Sequence, residues 1–89
     1  MTYRIVVAGA ARRDLKRLDP SVARAVIEAI DALAEGPRPP GSKELVGFAG
    51  VRRIRVEAWR IAYRVGDDEI EIIAAAHRDH IYDYVRRRV

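Results

Sequence analysis

Three observations predict an α+β fold: an N-terminal helical hairpin packed on a largely antiparallel four-stranded sheet, with a short C-terminal helix. First, strand-forming residues recur in short runs at 3–8, 51–56, 59–65 and 69–76, and in the last three apolar and polar residues alternate with period two. Second, the stripe Val22, Val26, Ile30 and Leu33 has helical spacing, opened by Asp19-Pro20 and closed by Gly36-Pro37. Third, the order β-α-α-β-β-β-α lets the helices lie together on one face of a single sheet.

The elements follow in turn. Tyr3, Ile5, Val6 and Val7 make a first strand. Ala11, Leu15 and Leu18 form the apolar face of a helix whose other positions hold Arg12, Arg13, Asp14, Lys16 and Arg17. Asp19 is placed to cap the next helix, and Pro20 suits its first position because that N–H has no partner there anyway. Glycine and proline end this helix at 36–37, and the segment Gly36-Pro-Arg-Pro-Pro-Gly-Ser42 is too rich in both to hold regular structure. Gly47 and Gly50 bracket a further loop around Phe48.

The stretch from Val51 to Val65 is the most informative part of the chain. Read as two strands turning at Glu57-Ala58, it pairs Val56 with Trp59, Arg55 with Arg60, Ile54 with Ile61 and Arg53 with Ala62. One face then carries Ile54, Val56, Trp59, Ile61, Tyr63 and Val65, and the other Arg53, Arg55, Arg60 and Arg64. Like charges directly across a ladder destabilise it, so a sheet that accepts Arg55 opposite Arg60 points to an anionic ligand. Gly66-Asp67-Asp68 is a turn, after which Val65 opposite Ile70 would set Glu71 against Arg64 and bring His77 beside Arg60 on the arginine face. Residues 79–88 make the closing helix.

At 89 residues the chain is a single domain, spanning 1–89. It has no cysteine, which excludes disulfides, thiolate zinc sites and cysteine nucleophiles. No apolar run approaches a membrane span, and residues 1–10 lack the pattern of a secretion signal, so a cytoplasmic location is expected. A formal net charge of +4 favours a polyanionic partner. Lysine occurs only at Lys16 and Lys43, so the positive charge is nearly all arginine, whose planar fork suits phosphate.

Cutting a phosphodiester with an RNA's own 2′-hydroxyl requires a proton acceptor, a proton donor and stabilisation of the charge on a five-coordinate phosphorus. No metal or other cofactor is needed. His77 and Tyr82 can exchange protons and the arginines can stabilise charge. Each also has a plain structural reading, as a strand-end cap, a packing residue or a solvated strand face. Two histidines without cysteine give no recognisable metal-ligand spacing.

Read together, the opening Tyr-Arg-Ile strand, "ARRDLKRLDPSV", "ALAEGPRPPGSKELVG", the hairpin "RRIRVEAWRIAYRV" and the closing "AHRDHIYDY" resemble bacterial type II toxins of the RelE/ParE superfamily, on the RelE side. The resemblance covers nearly the whole chain and rests on the order and spacing of these segments. It implies a RelE-like fold and a ribosome-dependent mRNA endonuclease (an mRNA interferase) that inhibits translation, leaving a 2′,3′-cyclic phosphate and a 5′-hydroxyl. On that likeness Arg53 and Arg55, joined by Lys43, hold the RNA. Arg60 and Arg78 contact the scissile phosphate, Tyr82 orients a base, and His77 is the candidate proton acceptor. Some relatives carry a lysine base in the hairpin, and this chain has arginine there. The implied partners are the ribosome, mRNA and a cognate RelB-like antitoxin, with operator DNA reached only through the antitoxin. Antitoxin residues are expected to meet Arg53, Arg55 and Arg60 together with Ile73 and Ala75. The same fold hosts ParE-like inhibitors of DNA gyrase, and a non-catalytic basic binding domain is a third possibility.

Overall fold

Five strands, rather than the expected four, make up the sheet. The computed structural model describes residues 2–89, in the order β1 (Arg4–Val7), α1 (Gly9–Lys16), α2 (Pro20–Leu33), β2 (Lys43–Glu44), β3 (Val51–Val56), β4 (Trp59–Val65), β5 (Glu69–His77) and α3 (Ile81–Arg88). In space the strands run β1-β5-β4-β3-β2, with β1 parallel to β5 and every other pair antiparallel. The additional strand, β2, is only two residues long and follows a Pro/Gly-rich segment, so alternation could not reveal it. Its register on β3 is fixed by Lys43 opposite Arg53 and continues in the Leu45 N–H bond to the Val51 carbonyl at 2.8 Å.

Alternation puts an apolar surface on both sides of the sheet, and each side gains a helical cover. Ala11 of α1 and Val26, Ile30 and Leu33 of α2 pack on Ile54, Ile61, Tyr63, Ile70, Ile72 and Ala75. On the opposite side Ile81 and Val85, one helical turn apart on α3, pack on Val51, Ala62, Ile73, Ala74 and Ala76, with Leu45 beside them. The helices therefore do not share one face. The closing helix crosses to the far side because the end of β5 presents small alanines there, against which a short helix can settle. Tyr63, fully buried, donates its hydroxyl to the Pro37 carbonyl at 2.6 Å and so anchors the proline-rich segment.

The hairpin register is as read from the sequence, including Arg55 directly opposite Arg60. The turn forces Glu57 to φ 54°, a left-handed conformation that a side chain tolerates poorly. The β4–β5 pairing runs from Val65↔Ile70 to Tyr63↔Ile72 and then slips to Ala62↔Ala74, leaving Ile73 as the extra residue of a β-bulge. That slip decides which face His77 occupies.

Beyond the bulge β5 outruns β1, whose last paired residue is Val7, opposite Ile72. Side chains take over the peptide groups left there. Asp14 of α1 accepts the Ala75 N–H through Oδ2 at 3.0 Å. Arg88 at the end of α3 donates to Asp14 Oδ2 at 2.6 Å, to Asp14 Oδ1 at 3.0 Å and to the Ile73 carbonyl at 3.0 Å. This two-pronged pair joins helices from opposite sides of the sheet around one strand edge. The bonds to Asp14 raise the Arg88 pKa further, against the opposing effect of partial burial.

Candidate active site

The arginine face comes together as a cleft of about 350 Å³ between the hairpin and the start of α3, lined by Leu45, Arg53, Arg60, Arg78, Asp79, Ile81 and Tyr82. Each position has a local cause. Arg53 and Arg60 point the same way because two-residue alternation on paired strands carries both to the α3 side. Arg78 follows β5 directly, and its N–H bonds the Ala58 carbonyl at 2.8 Å, which holds the strand end against the hairpin turn. Tyr82 is one residue past Ile81. Ile81 and Val85 take the buried stripe of α3, and the Tyr82 ring is left 39% exposed at the cleft, 6.1 Å from the Phe48 ring.

Arg60 is the centre of this arrangement. Its Nη1 donates to the Glu57 and Trp59 carbonyls, both at 2.9 Å, so the strained turn also orients the guanidinium. Its pKa is lowered, first by partial burial and then by the charges of Arg55, Arg53 and Arg78. A cation held among three others gains from any anion that enters. Arg53 donates to the Gly41 carbonyl at 2.8 Å, and Gly41 sits at φ 90°, a conformation glycine adopts without strain. Among the described residues, Arg53, Arg55 and Arg60 form no ion pair with a carboxylate, whereas Arg4, Arg64, Arg86 and Arg88 each do.

Most of the sequence-predicted set meets here: Arg53, Arg60, Arg78 and Tyr82 line the cleft, and Arg55 lies across the ladder from Arg60. Lys43 stands next to Arg53 on the adjoining strand, outside the cleft but within the neighbouring groove. His77 is the exception. The bulge at Ile73 turns it to the α1 side, opposite Trp59, where the two rings meet edge to face with centroids 5.7 Å apart. It shares a small hollow there with Asp14, Arg17, Leu18, His80 and Tyr84. Its Nδ1 accepts the Asp79 N–H at 3.2 Å, a turn-capping bond. Sequence alternation put His77 beside Arg60 because nothing in the residues announces the bulge. Ile73 and Ala75 are also withdrawn from the expected antitoxin surface: both are buried, the first under α3 and the second against α1. Reasoning from sequence missed Asp79 and Leu45 as cleft-lining residues. Asp79 brings a carboxylate to the rim, 4.0 Å from Arg78 Nε. No group of three or more potential metal ligands occurs among the described residues.

The family model for the ParE toxin of the type II toxin–antitoxin system parDE matches residues 5–85. Toxin RelG of Mycobacterium tuberculosis is 34% identical over 88 residues, which is 98% of this chain and 100% of that protein. The chain belongs to the RelE/ParE toxin superfamily. The RelBE2 toxin–antitoxin complex of M. tuberculosis contains a chain similar at 30% identity and TM-score 0.78, over 88% of this chain and 93% of that one. A mutant Escherichia coli toxin RelE in the free state superposes with TM-score 0.80 over 100% of both chains, at 20% identity, a likeness of fold. The superfamily's fold is thus present in full, and this RelE-family toxin of the type II toxin–antitoxin class brings Arg53, Arg60 and Arg78 together in one cleft.

Proposed function

We propose that this toxin is a metal-independent endoribonuclease that cuts messenger RNA on the ribosome and so stops translation. The observation that carries the proposal is Arg60, hydrogen-bonded into place by the hairpin turn, pressed by three neighbouring cations and without an acidic partner. In the proposed reaction the RNA 2′-oxygen attacks the adjacent phosphorus and the P–O5′ bond breaks. The products are a 2′,3′-cyclic phosphate and a 5′-hydroxyl. Negative charge grows on the non-bridging oxygens in between, and Arg60 and Arg78 are placed to neutralise it. Arg53, Arg55 and Lys43 hold the flanking phosphates, and the exposed Tyr82 ring supports a base. No imidazole lines the cleft, so we assign both proton removal from the 2′-hydroxyl and protonation of the leaving 5′-oxygen to solvent, and give His77 no part in either.

A cognate antitoxin of RelB type would silence the toxin by covering the arginines, in keeping with the RelBE2 complex of M. tuberculosis and the RelE–RelB complex of Pyrococcus horikoshii. An acidic segment suits that surface because unpaired arginines favour carboxylates. A second reading, poisoning of DNA gyrase, has the ParE family match in its favour. Purified toxin added to programmed ribosomes and, separately, to gyrase with relaxed plasmid distinguishes the two. Message cleavage with normal supercoiling supports the nuclease, and blocked supercoiling with intact message supports the gyrase poison.

A further inference from the structure

Across the sheet edge from the arginine cleft lies a groove of about 400 Å³. Its walls are Ala29 and Ala32 of α2, Pro39 to Ser42, and Lys43, Arg53, Ile54 and Arg55 at the sheet edge. Three features identify an occupant. The walls are mainly small and apolar, while every charged residue that lines the groove is a cation. Arg53 lines both the groove on the α2 side and the cleft on the α3 side, so the two meet at this edge of the sheet. Finally, the sheet edge is open there. Backbone alternation turns the Arg55 N–H and C=O toward the same side as those of Val51, whose carbonyl takes the Leu45 N–H. The partner strand β2 ends at Lys43, opposite Arg53, so no strand reaches Arg55.

We propose that this groove receives one unstacked nucleobase of the RNA, next to the linkage held at Arg60, an inference that rests on the nuclease reading. A flat heterocycle fits between the apolar walls, its phosphate lies against Arg53 and Lys43, and its edge meets the donor and acceptor of Arg55. Single-stranded RNA is read in this way, by splayed bases whose edges bond to protein groups. An extended peptide is the poorer fit, because adding a strand needs a ladder and only one residue of β3 stands free here. The groove thus supplies sequence preference, and the cleft supplies chemistry.

The test uses ribosomes carrying a message with a defined codon in the A site, and toxin altered at Ala32, an exposed residue on the groove wall. Ala32→Phe fills the space. It should lower kcat/KM at least tenfold, mainly through KM, with a melting temperature close to that of the parent. Removing the base from one nucleotide beside the scissile linkage should cause a similar loss, and combining it with Ala32→Phe should cause no further loss. Unchanged kinetics in Ala32→Phe overturns the base pocket, as do losses that multiply when the two changes are combined. Ala32→Met, a smaller intrusion, should fall between parent and Ala32→Phe, and a flat series again overturns the pocket. If the unaltered toxin leaves the message whole, the nuclease reading fails and takes this inference with it. Normal cutting that is indifferent to the groove removes the pocket alone.

Discussion

Arg88→Met should expose how much of the domain depends on the clamp between α1, β5 and α3. The change leaves Asp14 with its Ala75 bond but strips its cation, at a site where the carboxylate side chain is only 1% exposed. Stranding a buried charge costs about 3–5 kcal/mol, against a total of about 5–15 kcal/mol for a small domain. At about 4–8 °C per kcal/mol the melting temperature should fall by about 12–40 °C. Urea unfolding of variant and parent measures the difference. Adding Asp14→Asn removes the stranded charge and should recover part of the loss. A loss below about 1 kcal/mol would refute the clamp.

Three further outcomes are expected. Glu57→Gly relieves the left-handed turn residue and should stabilise the toxin by about 1 kcal/mol in urea titration, since the first position of such a two-residue turn favours glycine. The lowered pKa of Arg60 means that its charge weighs against folding at neutral pH, an effect lifted only as pH rises through that value. Inorganic phosphate should therefore raise the melting temperature of the toxin, and raise it less in Arg60→Ala. His77→Gln should leave both the cleavage rate and its pH dependence on programmed ribosomes within about twofold of the parent; a bell-shaped profile lost in this variant would return His77 to the chemistry.

The sequence made much of this molecule legible because its strongest signals are local. The Asp19-Pro20 start of α2 is found where the sequence puts it, although the helix closes at Leu33, ahead of Gly36, and alternation through the hairpin sets the pairing of Arg55 with Arg60 to the residue. What it hid was non-local. The bulge at Ile73 is a choice made by packing on both faces of β5, and it moves His77 across the sheet. Strand β2 exists because β3 offers it an edge, not because Lys43-Glu44 favours extension. The cover that α3 gives Ile73 depends on a clamp between residues 74 positions apart, Asp14 and Arg88, which no window along the chain reveals. Tyr82, by contrast, could be separated from the packing stripe in advance, since Ile81 and Val85 already supply one at i, i+4.

The most direct test of the arginine cleft as a message-cutting site is to map mRNA 5′ ends in bacteria expressing either the toxin or its Arg60→Ala variant. The variant's soluble yield and melting curve are checked alongside. The unaltered chain should produce new 5′-hydroxyl ends within coding regions, and the folded Arg60→Ala variant should produce about 10²–10³-fold fewer, the loss typical of removing one preorganised charge-stabilising group. Growth arrest with intact messages, or equal cutting by a folded Arg60→Ala toxin, would contradict it.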